Sequence, residues 1–142
     1  MEASEACLDL IKSSESLHLV AYLCPAGVPT IGWGSTYQVQ LGQQITLAEA
    51  QFRFAEDVRH TEAVLTSDFY GVAFTQGQWD ALVSLSFNIG RLPIKAPKLT
   101  AAIRSGDWPE AARQFLDITK ADGKVEPGLV KRRAAEHALF VS

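Results

Sequence analysis

Four helix-start signals constrain the fold of this chain more than any other feature of its sequence. They lie at Thr46, Thr75, Asp107 and Pro127. At the first three, Thr or Asp is followed three residues later by Glu or Gln, the spacing of a capping box. At the fourth, proline in the first helical turn costs no hydrogen bond. With a further short helix predicted over 98–105, most of the chain is predicted to be helical, and the longest irregular segments are predicted at 66–74 and 91–97.

The N-terminal part of the chain has a different pattern of apolar and turn-forming residues. Apolar residues at helical spacing over 4–16 predict a first helix that ends near residues 14–17, which places Glu15 at or just past its last turn. Apolar residues are then spread through 19–33 around a Pro-Ala-Gly turn, a pattern typical of short strands joined by a tight turn. The prediction is an α+β chain with a small N-terminal lobe that contains a β-hairpin sheet and a helical C-terminal lobe. We expect one domain over 1–142, with lobes at roughly 1–65 and 66–142.

Composition and charge narrow the classes of function. The 142 residues carry a formal net charge of −3 and have a pI near 5.6, which argues against a dedicated nucleic-acid-binding protein. The charge is uneven, because residues 1–90 carry 3 basic against 10 acidic groups and residues 91–142 carry 10 against 6. Two cysteines are too few for a disulfide framework and indicate a reducing compartment. The sequence shows neither a signal peptide nor a run of about 18 apolar residues.

Glu15, Cys24 and Thr30 stand out around the predicted hairpin. A carboxylic acid flanked by Leu17 and Leu19 could be kept protonated by apolar surroundings and serve as a general acid. The Pro-Ala-Gly turn after Cys24 brings Thr30 back towards it, so that acid, thiol and hydroxyl could surround one pocket. Taken singly, each residue also has an ordinary interpretation: a surface glutamate at a helix end, a buried apolar cysteine and a β-favouring threonine.

Several motifs occur together and in order along the chain. The first is Glu-x8-Cys-x5-Thr from Glu15 to Thr30, followed by Ile-Gly-Trp-Gly. The others are TQGQWDALVS with FNIG over 75–90, GDW over 106–108 and PGLVKRRAAE over 127–136. In these motifs the chain resembles the phage-type lysozymes, the endolysins of glycoside hydrolase family 24, over nearly its whole length.

The resemblance implies a lysozyme-like fold and an activity on the glycan strands of bacterial peptidoglycan. The bond cut would be the β-1,4 link from N-acetylmuramic acid to N-acetylglucosamine. Glu15 would protonate the leaving oxygen, Cys24 stands where many relatives have Asp, and Thr30 would help to position the attacking water or the second catalytic group. Family behaviour suggests inversion at the anomeric carbon, which needs room for a water between acid and base.

Cysteine at the second catalytic position departs from the usual family pattern. A free thiol is mostly uncharged at neutral pH, so it stabilises a cationic transition state less well than Asp unless something promotes the thiolate. Arg132 and Arg133 are candidates for that electrostatic support, and an ordinary surface role is equally open. Cys24 can act as a base or as a direct nucleophile, and the sequence does not choose between them. Ser35 follows Gly34 where some relatives carry His, so a charge pair that relies on this His is absent.

Substrate contacts and cofactors complete the predicted site. The resemblance makes Phe87 and Asn88, and with less support Gln114, candidate substrate contacts; Asn88 can donate to and accept from an acetamido group. Asn88 also suits a plain helix-capping role. The spacing of the three tryptophans favours core packing over sugar stacking, with Trp33 as the candidate exception. The three histidines show no metal-ligand spacing, and neither a metal nor another cofactor is predicted.

The predicted function is that of an endolysin, a muramidase that ends a phage infection by breaking the host cell wall. Lacking an export signal, it would accumulate in the host cytoplasm and reach the periplasmic cell wall through a membrane hole made by a phage holin. The partners predicted are therefore peptidoglycan and a holin, with no nucleic acid and no membrane span, and the chain is expected to be a monomer.

Three alternative functions stay open. A lytic transglycosylase would act on the same bond and leave a 1,6-anhydro product. An inactive wall-binding module would explain Cys24 as a loss of the usual Asp. A cysteine peptidase or amidase would need a histidine to activate the thiol, and neither His18 nor His60 has a recognisable partner context.

Overall fold

The computed structural model describes residues 1–142 as a helical body with two short β-hairpins. In chain order the elements are α1 (Glu5–Glu15), β1 (His18–Leu23), β2 (Pro29–Gly32), α2 (Leu47–Asp68), α3 (Gln76–Ile89), α4 (Leu92–Lys95), α5 (Pro97–Arg104), α6 (Trp108–Asp117), β3 (Lys120–Ala121), β4 (Lys124–Val125) and α7 (Pro127–Val141). The predicted α+β class is confirmed. None of the helices has the length and apolar character needed to cross a membrane.

The helix-start signals of the sequence form caps in the structure. The side chains of Thr46, Thr75 and Asp107 each accept a hydrogen bond from the backbone N–H three residues further on. At Thr75 the reciprocal bond from its backbone N–H to the Gln78 side chain (2.9 Å) completes a capping box. At Thr46 the Glu49 carboxylate instead accepts from the threonine hydroxyl at 3.2 Å. The fourth signal also holds, because α7 begins at its proline.

Two segments differ from the prediction. Residues 91–97, predicted as irregular, contain the short helix α4, and Pro93 and Pro97 lie in the first turns of α4 and α5. The helix that starts at Asp107 is predicted from the sequence DWPEAARQFLDITK to continue to Lys120, but it ends at Asp117, and β3 and β4 follow as an antiparallel hairpin. Asp122 and Gly123 form its turn with φ angles of 52° and 77°. An Asp-Gly pair is a hairpin signal, so the sequence did contain a local indication of this turn.

The first hairpin carries two of the predicted catalytic residues. β1 and β2 pair antiparallel, with Tyr22 opposite Thr30. The Cys24 N–H donates to the Val28 carbonyl (3.0 Å), and the Gly27 N–H donates to the Cys24 carbonyl (2.8 Å). Gly27 has a φ of +79°, in the left-handed region that favours glycine. The closed turn brings Cys24 and Thr30 to the same end of the hairpin.

Helix α3 is the central element of the helical body. Its residues 79–86 are all buried, and it packs against α1, α2 and α7. A helix that is buried on all sides has to be surrounded by other elements, so these three helices are held in place by one neighbour. The ends of α1 and α3 and the first half of α7 are therefore fixed relative to one another.

Two hydrophobic clusters form the interior of the protein. The larger lies among the helices, and the smaller lies under the first hairpin and consists of Ile31, Val39, Ile45 and Ala50. Trp79 is buried in the larger cluster, Trp108 packs against it, and Trp33 packs against both. Trp79 and Trp108 therefore pack in the interior, as their spacing predicts, and Trp33, the candidate exception, is partly buried and connects the hairpin to the helical body.

Asp80 of α3 fixes the start of α1. Its carboxylate is 3% exposed and accepts from the Ser4 N–H (2.9 Å), from the Ser4 hydroxyl and from the Gln76 amide (2.8 Å). Ser4 is itself the N-cap of α1 and accepts from the Cys7 N–H. Because Glu15 is the last residue of the same helix, this anchor helps to set where α1 places Glu15.

Replacing Asp80 by Ala is expected to lower the free energy of unfolding by about 2 to 3 kcal/mol, because the Ser4 N–H and hydroxyl and the Gln76 amide lose a buried, charged acceptor. The matched control is Asp117→Ala, which removes an exposed carboxylate paired with Arg113 and should cost less than about 1 kcal/mol. Urea unfolding followed by circular dichroism measures both. Equal small losses for the two variants would contradict the anchoring role of Asp80.

Candidate active site

Glu15 is the last residue of α1, at the point where the chain turns into the first hairpin. The next residue, Ser16, has a φ of 57° and ends the helix. The Glu15 side chain is 21% exposed, and its Oε1 accepts a hydrogen bond from Nη1 of Arg132 at 2.7 Å. The C-terminal end of a helix disfavours a negative charge, and the guanidinium offsets that effect. A residue of α7 therefore holds the carboxyl group in place.

Gly34 packs against the other oxygen of the same carboxyl group. A Cβ at Gly34 would lie 3.0 Å from Oε2 of Glu15, and the residue has a φ of +82°. Both the close approach and the backbone conformation favour glycine here. The Glu15 carboxyl group thus lies between the Arg132 guanidinium and the backbone at Gly34.

Cys24 follows β1 directly, and its thiol is partly exposed. The pKa of the thiol lies below its usual value, above all because the backbone N–H of Val28 hydrogen-bonds the sulfur. The N–H groups of Ala26 and Gly27 and the hydroxyl of Thr30 lower the pKa further, and desolvation opposes them. The turn therefore favours the thiolate form of Cys24 through its own backbone.

Thr30 is a polar neighbour of Cys24. The residue is 3% exposed, and its Oγ1 donates to the Val28 carbonyl at 2.9 Å. The same hydroxyl is a hydrogen-bond partner of the Cys24 sulfur. Because a hydroxyl has one hydrogen, donation to the thiolate requires it to turn away from the Val28 carbonyl.

Tyr22 joins the site, although the sequence analysis does not single it out. The pKa of its phenol is raised, chiefly by desolvation and further by the charges of Glu15 and Cys24. Its backbone pairs with Thr30, and its ring lies against His18 with centroids 4.2 Å apart. The phenol is thus close enough to both the acid and the thiol to sense their charges. Its place inside the Glu-to-Thr motif is the only sequence signal for this role.

The two arginines proposed as support for Cys24 lie beside other partners. Arg132 contacts Glu15, and the fully buried Arg133 donates to Oδ1 of Asn88. The causes of the lowered Cys24 pKa lie in the hairpin itself. The electrostatic partners of the thiol therefore differ from those predicted, because the arginines serve the acid and a candidate substrate contact.

Open clefts lie next to the partners of Glu15. One of about 750 Å³ is lined by Gly34, by Phe87 and by residues of α2 and of the loop before it. A neighbouring cleft of about 580 Å³ shares part of this lining. A third, of about 460 Å³, lies beside α7 and is lined by Asn88 and Arg132 among others. Glu15 touches the lining of the first cleft through Gly34 and that of the third through Arg132.

The predicted substrate contacts are distributed unevenly around these clefts. Phe87 lines the largest cleft, and Asn88 lines the one beside α7. Because the Asn88 carbonyl oxygen accepts from Arg133, its NH₂ group is the part left for a ligand. Gln114 is buried on α6, where its amide donates to Glu110 at 2.8 Å. The structure therefore does not bring Gln114 to these clefts.

Ser35, where the resemblance leads one to expect histidine, still cross-links its loop to α2. Nη1 of Arg53 donates to the Ser35 hydroxyl (3.3 Å) and to the Tyr37 carbonyl (2.8 Å). Asp57, one turn further along α2, has a raised pKa because burial outweighs the opposing effects of Ser35 and Arg53. The Ser35 hydroxyl and the Arg53 guanidinium thus connect this loop to α2.

The second cysteine, Cys7, lies in a very different environment. It is fully buried, its thiol donates to the Asp80 carbonyl at 3.3 Å, and burial above all raises its pKa to about 12. Both thiols are free. The structure contains no group of three or more His, Cys, Asp and Glu side chains placed to hold a metal ion.

Solved structures define the class of this protein. The fold is similar to the muramidase domain of SpmX from Asticaccaulis excentricus, with a TM-score of 0.87 and 31% identity over 99% of this chain and 98% of that chain. It is also similar to the endolysin from Escherichia coli O157:H7 phage FAHEc1, with a TM-score of 0.83 and 31% identity over 100% of this chain and 94% of that chain. These similarities over the whole chain make it a lysozyme-type glycoside hydrolase.

Sequence comparison gives the family. Residues 12–136 match the family Phage lysozyme. The endolysin of Acyrthosiphon pisum secondary endosymbiont phage 1 is 41% identical over 146 aligned residues, which span 100% of this chain and 99% of that protein. The chain belongs to the phage lysozyme family, which confirms the resemblance seen in its motifs.

Gly34→Ala is expected to lose activity on a cell-wall suspension by about 10-fold or more, because a methyl group there displaces the Glu15 carboxyl group. Gly71→Ala is the matched control, since Gly71 has a φ of +83° and nothing within 4 Å of the added Cβ. Both variants should lose about 1 kcal/mol or more of stability from backbone strain. Equal activity of the two at equal folded fraction would contradict the role of Gly34.

Alkylation of Cys24 by iodoacetamide is expected to begin at a lower pH than for an ordinary thiol, because hydrogen bonds from the turn favour its thiolate. Thr30→Val removes one of these bonds and should move the midpoint of labelling to higher pH. Mass spectrometry measures the labelling against pH, with buried Cys7 as the internal control that stays unlabelled in the folded protein. A midpoint for Cys24 at or above that of free cysteine would refute the lowered pKa.

Proposed function

We propose that this chain hydrolyses the β-1,4 bond from N-acetylmuramic acid to N-acetylglucosamine in bacterial peptidoglycan and thereby lyses the host cell. The observation that carries the proposal is the Glu15 carboxyl group, paired with Arg132 at 2.7 Å, next to a hairpin turn that favours a thiolate at Cys24. An acid and a base on either side of a glycosidic bond are what its hydrolysis requires. The muramidase and endolysins of the same fold support the choice of substrate.

Glu15 is the general acid in this mechanism. The protonated carboxyl group transfers its proton to the glycosidic oxygen as the bond to the anomeric carbon breaks, and a carboxylate remains. The Arg132 guanidinium stabilises that carboxylate, so the contact is stronger after proton transfer than before it. An interaction that strengthens along the reaction lowers the barrier.

Cys24 is the base in this mechanism. Its thiolate accepts a proton from water, whose oxygen forms the new bond to the anomeric carbon, and the Thr30 hydroxyl orients that water. The reaction ends with the thiol protonated and Glu15 ionised, and proton exchange with solvent restores both. A single displacement of this kind inverts the anomeric configuration, whereas direct attack by the sulfur would retain it after hydrolysis of the intermediate.

The clefts on either side of Glu15 suit a polymeric substrate. The large cleft brings Phe87 and the exposed ring of Tyr37 to one side, and the cleft beside α7 brings the NH₂ group of Asn88 to the other. Aromatic rings pack against sugar faces, and an amide N–H donates to the carbonyl of an acetamido group. A glycan strand that fills both clefts passes the Glu15 carboxyl group.

The proposed cellular setting follows from this substrate. As one domain over 1–142, the protein acts as a monomer without a nucleic-acid partner. It stays in the host cytoplasm until a phage holin opens the membrane, and it then acts on the periplasmic cell wall.

The test is the loss of turbidity of outer-membrane-permeabilised Gram-negative cells under reducing conditions. Glu15→Gln and Cys24→Ser are expected to lose at least about 100-fold in rate, because each removes a proton-transfer group. Cys24→Asp should stay active, because a carboxylate can replace the thiolate. Glu5→Gln, at the exposed start of α1, is the matched control and should lyse normally.

Product analysis separates this proposal from its alternatives. Mass spectrometry should show hydrated reducing ends, whereas 1,6-anhydro ends would indicate a transglycosylase. NMR of the first-formed anomer decides between inversion and retention. Wild-type protein that binds walls without clearing them, or that releases amines without reducing ends, would contradict the muramidase activity.

A further inference from the structure

We propose that Glu136, a fully buried carboxylate on α7, positions two functional groups at once: the acid Glu15 through Arg132, and the amide of Asn88 through Arg133. Glu136 touches neither cleft and is a positioning residue. The inference rests on the proposed function, since it assigns roles within that active site. It adds a connection between the acid and a substrate contact that neither residue makes directly.

Glu136 is the common partner of both arginines. Its Oε2 lies 3.4 Å from Nε of Arg132, and its Oε1 lies 3.2 Å from Nη1 of Arg133. The Ser84 hydroxyl of α3 donates to Oε2 at 2.5 Å. Glu136 and Arg133 are both 0% exposed, so these charges have no access to water and depend on one another for compensation.

The first arm of this arrangement leads to the acid. Arg132 donates through Nη1 to Oε1 of Glu15 (2.7 Å) and through Nη2 to the Ser84 carbonyl (3.0 Å), while its Nε faces Glu136. Two hydrogen bonds and an ion-pair contact on the third side restrict this planar guanidinium to one orientation. Glu136 and Ser84 therefore determine where Arg132 presents its donor to Glu15.

The second arm leads to the candidate substrate contact. Nη2 of Arg133 donates to the carbonyl oxygen of Asn88, and Nη1 faces Glu136. This contact fixes which way the Asn88 amide points, with its NH₂ group left for the cleft beside α7. The same buried carboxylate thus orients a proton donor for the bond to be cut and a hydrogen-bond donor for the sugar next to it.

The charges around Glu136 explain why a carboxylate is needed at this buried position. Arg132 and Arg133 face it from α7, Ser84 faces it from α3, and Cys7 approaches from α1 as a neutral thiol. Burial raises the pKa of Glu136 and lowers that of Arg133, so each side would lose its charge more readily without the other. Without Glu136, Arg132 keeps Glu15 as its carboxylate partner, whereas Arg133 loses the carboxylate that it pairs with.

The test compares Glu136→Gln with wild type in steady-state kinetics on soluble glycan fragments across pH. Gln keeps the size and an acceptor for Ser84 and removes the charge. We expect kcat to fall about 10- to 100-fold as Arg132 shifts, and KM to rise as Asn88 loses its orientation. The pH dependence of kcat should also change, because Glu136→Gln removes a negative charge from the group of ion pairs that ends at Arg132 and Glu15.

Two further variants separate positioning from stability. Phe140→Leu destabilises the same helix from its buried apolar side and should leave the pH profile unchanged. Glu136→Asp keeps the charge and should retain the wild-type pH profile with a smaller loss of kcat. In a double-mutant cycle, Asn88→Ala should raise KM, and adding Glu136→Gln should raise it no further.

The outcomes distinguish this inference from the proposed function. Wild-type protein without glycosidase activity would overturn both. The positioning role alone would be overturned by a second outcome. In it, wild type is active, Glu15→Gln is inactive, and Glu136→Gln is less stable but keeps the wild-type kcat, KM and pH profile. Should Glu136→Gln not fold, Glu136→Asp decides, and wild-type kcat in that variant at equal folded fraction would overturn the inference.

Discussion

The ion pair between Glu15 and Arg132 joins the end of the first helix to the last helix of the chain, 117 residues away in sequence. It places a carboxyl group at the junction of two clefts, and neither helix would do so alone. The buried helix α3 fixes the relative position of the two residues, because α1 and α7 both pack against it. At one end Asp80 ties down the start of α1, and at the other Ser84 and Glu136 hold the guanidinium. Buried polar residues of α3 and α7 thus hold both the helix that carries Glu15 and the guanidinium that contacts it.

Much of the fold was predictable because its signals are local. N-caps at Thr46, Thr75 and Asp107 are contacts between residues three apart, so they can be seen in the sequence as they are in the structure. The segment around Pro93 was predicted as irregular because proline suits both a loop and a first helical turn. The hairpin after α6 was missed because apolar periodicity continued past Asp117, although the Asp-Gly pair indicated a turn.

The site was predictable in part: features that involve residues close in sequence could be predicted, and contacts between distant residues could not. Glu15, Cys24 and Thr30 lie within one short segment, and the motif they form is compact enough to identify. The partners of charged residues depend instead on how helices pack, so the sequence pointed to Arg132 without showing that it pairs with Glu15. The position of Gln114 away from the clefts likewise depends on how α6 packs against α5 and α7, although its amide bonds Glu110 one turn back on the same helix.

The turn after β1 has a consequence for how this family can change over time. The groups that favour a negative charge at position 24 are mostly backbone N–H groups of the residues that follow, and these groups do not depend on the side chain at position 24. Such a turn can stabilise an anion whether oxygen or sulfur carries the charge. A carboxylate and a thiolate can therefore replace one another at this position without compensating changes elsewhere in the molecule.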